Sequence, residues 1–175
     1  QLIARLNEMD TWGRTITFIA AENGQADTIK VLAELGADVN SSMEDGCTPI
    51  WIAAQNGHVD AIKVLKDLGV DVNTPANGGI TPVWIAAQKG QADTIRVLKK
   101  LGANVNTPME DGCTPLFIAA EKGHADTINV LAGLGADVNT PAKNGYTPVY
   151  VAAQKGHADT INVLAGLGAN VNTPM

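Results

Sequence analysis

"ITPVWIAAQKG", residues 80–90, sets the architecture of this chain. Thr81 is a good helix N-cap, and Pro82 suits the first helical position, where its missing N–H is no loss. The helix that starts there carries Trp84 in its first turn and an alanine pair, Ala86 and Ala87. It closes at Gly90, a residue type that readily takes the left-handed cap conformation. That helix is short.

The same text recurs on both sides. Thr15, Thr48, Thr81, Thr114 and Thr147 lie 33 residues apart. TPIWIAAQNGHVDAIKVLKDLG follows Thr48 and TPLFIAAEKGHADTINVLAGLG follows Thr114, while the first copy, TITFIAAENGQADTIKVLAELG, is the least regular. A fixed period of this length dictates a stacked array. Within a unit a second helix follows the first. Asp60 stands in its first turn, where the macrodipole favours an anion, and Ile62, Val64, Leu65 and Leu68 form its apolar stripe before Gly69. The remainder, VDVNTPANGG, has no helical stripe and ends in a glycine-rich turn, so it reads as an extended, hairpin-like connector.

Composition excludes several classes of function. The chain has 45% apolar residues, as a packed protein does, and a net charge of −6 with a pI near 4.9. Nucleic-acid affinity comes largely from Lys and Arg neutralising phosphates, so a nucleic-acid binder is not expected. No apolar run approaches the ~20 residues that span a bilayer, and QLIARLNEMD is not a secretion signal. With two unpaired cysteines, these features lead us to expect a cytoplasmic setting and no membrane partner. The chain opens without an initiator Met and stops within the pattern, as a piece of a longer array would.

The pattern TPxxxAAxxGHxxxIxxLxxxGADVN in 33-residue units resembles the ankyrin repeat. The resemblance implies an all-α solenoid of stacked helix pairs, with hairpin-like loops projecting to one side of a concave groove. It implies one ankyrin repeat domain over 1–175: a remnant of an earlier second helix at 1–13, then repeats at 14–46, 47–79, 80–112, 113–145 and 146–175, the last without a polar cap. Two departures stand out. Ile16 and Thr17 replace the Pro and aliphatic pair of the first copy. The histidine usual in "TPLH" is aromatic in every copy (Phe18, Trp51, Trp84, Phe117, Tyr150), so the family's customary side-chain bonding does not carry over at this point.

Catalysis needs convergent groups, and none converge. His58, His124 and His157 share one repeat position, occupied by Gln25 and Gln91 in the other copies. Adjacent helices pack at roughly 8–10 Å, too far for these histidines to share a metal or a proton. Each reads as a helix-start residue hydrogen-bonding locally. Cys47 and Cys113 stand two repeats apart, roughly 20 Å, beyond the ~7 Å limit for a disulfide. No phosphate-binding glycine loop or CxxC occurs. No catalytic residue, cofactor or metal is expected.

Five of the seven aromatic residues occupy the Trp84 position. Trp84 shares a helix face with Gln88, four residues on, which puts the ring at a boundary between packing and groove. One reading makes the rings a ladder packed between repeats. The other makes the outer edges of Trp51, Trp84, Phe117 and Tyr150 anchors for a partner. Gln55, Gln88, Glu121 and Gln154 lie on the same face. Ile80 and Tyr146 follow the turn glycines, and the tips carry Glu44-Asp45 and Glu110-Asp111, with Asn77 and Lys143 between them. Together these residues make the groove the expected binding surface for a protein or peptide. Replacing Trp84, Ile80 and Tyr146 by Ala is expected to abolish binding while the fold persists.

Asn40, Asn73 and Asn139 match a pattern that resembles the target of asparaginyl hydroxylation in animal ankyrin repeats: an acidic residue two before and a leucine eight before. The competing reading is an amide bracing its own loop. An alternative to groove binding is a structural spacer or a self-assembling segment that stacks head to tail through uncapped terminal helices.

Overall fold

The computed structural model describes residues 5–172. Five helix pairs follow one another: α1 (Ile16–Glu22) with α2 (Ala26–Glu34), α3 (Pro49–Asn56) with α4 (Val59–Asp67), and α5 (Pro82–Gln88) with α6 (Ala92–Lys100). They continue with α7 (Pro115–Lys122) and α8 (Ala125–Gly133), then α9 (Pro148–Gln154) and α10 (Ala158–Gly166). First helices pack on first helices and second helices on second helices, repeat after repeat.

The spacing of the sequence explains the stack. Ile62, Leu65, Ile95, Leu98, Ile128 and Leu131, from the stripes of α4, α6 and α8, are fully buried. Ala53-Ala54, Ala86-Ala87 and Ala119-Ala120 are fully buried too, because a methyl group is all that fits where neighbouring first helices approach. Leu68 departs from its predicted stripe: it is the C-cap residue of α4, past the last helical turn, and is exposed.

Every first helix begins in the same way. The hydroxyls of Thr15, Thr48, Thr81, Thr114 and Thr147 accept the backbone N–H of Phe18, Trp51, Trp84, Phe117 and Tyr150. The first copy keeps this cap despite lacking its proline. Its Thr17, however, occupies the position of Ile50, Val83 and Leu116, and its hydroxyl is buried without a hydrogen-bond partner. An orphaned buried hydroxyl costs about 1–3 kcal/mol. Thr17→Val should therefore raise the free energy of unfolding in urea by about 1 kcal/mol. An unchanged or lower midpoint would show that the hydroxyl finds water.

The connectors end in tight fingers. In each, one N–H reaches a carbonyl four residues on: Met43 to Cys47, Ala76 to Ile80, Met109 to Cys113 and Ala142 to Tyr146, at 2.9–3.0 Å. Ala76 and Ile80 form an isolated bridge, and no strand is present among the described residues. Adjacent fingers are tied by backbone bonds from Asn77 to Asp45 and from Lys143 to Asp111, both 2.9 Å, and from Glu110 to Gly78, 3.0 Å. Gly112 permits this closeness: its φ is +86°, and a Cβ there would lie 2.9 Å from the Lys143 nitrogen.

The N-terminal segment departs from the helical remnant expected over 1–13. Residues 5 and 6 are helical, but Asp10–Arg14 is a finger, with Asp10 N–H on the Arg14 carbonyl at 2.9 Å. The Asp10 carboxylate accepts the N–H groups of both Trp12 and Arg14 and so turns the chain where a continuing helix was expected. Residues 1–4 of the expected remnant lie outside the described residues.

Candidate functional site

The aromatic row is built by the caps just described. The threonine hydroxyl fixes the start of each helix, and the aromatic residue follows at a constant angle. Trp51, Trp84 and Phe117 are 8, 5 and 4% exposed. Trp51 Nε1–H donates to the Ile80 carbonyl at 3.0 Å, and Trp84 Nε1–H donates to the Cys113 carbonyl at 3.0 Å. Each indole thus pins the foot of the following finger. The boundary position expected for these three rings is corrected: the next finger lies over them. Sharing a helix face with Gln88 says nothing of what lies above that face.

Tyr150 is different. At 36% exposed it has no described finger over it, and it stacks on Tyr146 with ring centroids 4.5 Å apart. Ile80 and Tyr146 are half-buried, as are Gln55, Gln88 and Glu121, while Gln154 is exposed. The tip residues Glu44, Asp45, Asn77, Glu110, Asp111 and Lys143 are exposed. Asp45 and Asp111 also hold their turns, accepting the N–H of Cys47 at 3.0 Å and of Cys113 at 2.9 Å. One depression, of about 250 Å3, brings finger and helix residues together: Cys113, Asn144 and Tyr146 from the fingers, with Phe117, Glu121 and Gln154 from α7 and α9.

The histidines bond farther away than expected. His58, His124 and His157 Nε2 lie 3.0, 3.0 and 2.9 Å from the carbonyls of Glu22, Gln88 and Glu121, each in the preceding repeat. These carbonyls belong to the last turns of α1, α5 and α7, where helix acceptors lack internal partners. Such bonds fasten repeats together instead of capping the histidine's own helix. No group of three or more metal-ligating side chains converges among the described residues.

The surroundings of both thiols disfavour the thiolate. Burial first, and then the neighbouring Asp45, push the Cys47 thiol up to about 12; burial and Asp111 do the same for Cys113. Thiolate is the reactive form, so in the native protein both should resist iodoacetamide at pH 8 and react on unfolding. Labelling of native protein at the unfolded rate would contradict this. Because the native pKa values are raised, the stability they confer is present below the unfolded value near 9.0 and declines as pH rises toward 12.

The three candidate hydroxylation sites are unequal. Asn73 and Asn139 accept from the N–H of Asn104 and Asn170 at 2.9 and 2.8 Å, and their amides lie 3.4 Å from the Gly102 and Gly168 carbonyls. Asn106, which does not match the pattern, likewise donates to Gly135 at 3.1 Å. Bracing between repeats therefore does not depend on the preceding acid. The Asn40 side chain makes neither bond and is exposed, its loop running into Ser41-Ser42 where the other copies have Thr-Pro.

Two residues outside the expected set stand out. Arg14 binds Asp10 at 2.8 Å and Glu22 at 3.0 Å, and its guanidinium lies 4.9 Å from the ring centroid of Trp12. Partial burial alone would raise the Asp10 carboxyl, but hydrogen bonds from Arg14 and Trp12 bring it below the ordinary value. Trp12 is 70% exposed. The available signal was its register: Trp12 stands 33 residues before Asp45, at a fingertip.

A family model for ankyrin repeats matches residues 1–76 and 84–175, in three copies, and the chain belongs to the ankyrin repeat family. Ankyrin repeats are generally protein–protein interaction modules without catalytic activity. No curated protein matches the chain. No helix among the described residues is long and apolar enough to cross a membrane.

Proposed function

We propose that this chain binds a protein or peptide along the side where fingers and first helices meet. The observation that carries the reading is the depression shared by Tyr146, Cys113, Glu121 and Gln154, which joins two repeats and two kinds of element in one partly apolar, partly polar surface. Partner sites of this kind combine an aromatic contact with polar groups that set orientation. Ile80 continues the row one repeat earlier than Cys113.

Trp84 no longer belongs in the test, because its removal would damage the fold. The experiment is affinity capture from a native extract, followed by titration of the captured partner against wild type and an Ile80→Ala/Tyr146→Ala double variant. We expect binding at least about tenfold weaker for the variant, as for the loss of an interface hot spot, under conditions where circular dichroism shows the variant still folded. Equal affinity would remove the groove reading.

A second reading is self-assembly through the outer face of the last repeat. It draws on Tyr150 and Ala153, which are exposed, whereas their counterparts Trp84 and Ala87 are buried under the next repeat. It predicts sedimentation as concentration-dependent oligomers that Tyr150→Lys/Ala153→Glu disperses. A monomer at all concentrations would exclude it.

A further inference from the structure

We infer that the first two fingertips form a slot for a cationic side chain, so that the partner presents a basic segment to these two fingers. This rests on the reading of the chain as a protein-binding module and names the chemistry of what it binds. Trp12 is the most exposed large apolar side chain among the described residues. At the same repeat position the other fingers carry Asp45, Gly78, Asp111 and Asn144, so nothing in the turn itself demands an indole. Beside it opens a depression of about 350 Å3 lined by Thr11, Trp12, Gly13, Met43, Glu44 and Asp45.

The chemistry of that lining selects the guest. An aromatic face attracts a guanidinium or ammonium through its quadrupole. This ring demonstrates the interaction with the protein's own Arg14, which sits over it at 4.9 Å while Asp10 and Glu22 hold the guanidinium. Even so the indole remains largely open to solvent. Neither Glu44 nor Asp45 has an ion-pair partner among the described residues, and both are exposed. An anionic guest would meet two exposed carboxylates without ion-pair partners on a chain of net charge −6. A purely apolar guest on Trp12 and Met43 would desolvate those carboxylates without pairing them. An arginine or lysine side chain satisfies all parts at once: its stem on Met43 and the indole, its charge toward Glu44 and Asp45.

The test uses a blocked, fluorescently labelled peptide of alternating arginine and glycine and its citrulline counterpart, titrated at low ionic strength by anisotropy. The proteins are wild type, Trp12→Ala and Glu44→Gln/Asp45→Asn. Trp12 is exposed, and the asparagine keeps the acceptor that Asp45 offers to Cys47, so both variants should melt like wild type. We expect the arginine peptide to bind wild type and the citrulline peptide to bind more weakly. Each variant should weaken arginine-peptide binding by about two- to fivefold, the range of an exposed cation–π contact. No binding of the arginine peptide, equal binding of the citrulline peptide, or undiminished binding by Trp12→Ala overturns the slot. The two readings fail separately. A captured partner that needs Ile80 and Tyr146 but ignores Trp12 removes the slot and leaves the groove. Arginine-peptide binding that needs Trp12, with no partner lost on Ile80→Ala/Tyr146→Ala, does the reverse.

Discussion

Trp84→Ala is expected to lower the free energy of unfolding by about 3–5 kcal/mol, the usual cost of emptying a buried tryptophan site. The ring is 5% exposed, and its Nε1–H is bonded to the Cys113 carbonyl, so the substitution opens a cavity and frees a finger together. In a stacked array each repeat contacts only its neighbours, and stability is a sum of repeat and interface terms. Trp84 joins the third repeat to the fourth. Its loss should therefore split the urea transition into non-coincident steps and not merely shift it. Trp84→Phe keeps most of the volume and loses the bond, so it should cost about 1–2 kcal/mol. Tyr150→Ala, at a partly exposed site, should cost less than Trp84→Ala by urea denaturation. A Trp84→Ala protein that unfolds within about 1 kcal/mol of wild type, in one step, would mean the indole is not what couples the two halves.

The fold was legible because period, cap and stripe agree. Thr48-Pro49, Gly57 and the Ile62–Leu65 spacing each predict the element that forms, and 33-residue recurrence multiplies that signal fivefold. What escaped are the contacts between units. Periodicity says which residues share a helix face, but it does not say which part of the next unit lies over that face. The face that Trp84 shares with Gln88 therefore predicts a boundary position, whereas the fourth finger covers the ring. The helix-start position of His124 predicts a bond within its own unit, whereas the ring reaches Gln88, 36 residues back. At the N-terminus the resemblance of Gln1 to Trp12 to a second helix hides a different register, in which Asp10–Arg14 aligns with the finger Met43–Cys47. The site is less legible than the fold because groove residues are defined by what is missing over them, and a single sequence does not record that.

The contact between units at the histidines yields the second large effect. Gly123 ends α7 with φ +77°, and a Cβ built on it would lie 2.8 Å from His157 Nδ1. Gly123→Ala therefore carries two costs. The left-handed conformation disfavours any Cβ, by roughly 1–2 kcal/mol. The methyl group also displaces the imidazole from the Glu121 carbonyl, which it meets at 2.9 Å, and that bond is worth about 1 kcal/mol. The expected destabilisation is about 2–3 kcal/mol. His157→Ala alone removes the bond and should cost about 1 kcal/mol. In a His157→Ala background the glycine substitution should then retain only its backbone cost, so the two changes should be less than additive by about 1 kcal/mol in a double-mutant cycle measured by urea denaturation. Full additivity would mean that the ring does not fasten the fifth repeat to the fourth and that Gly123 is required by its own φ alone.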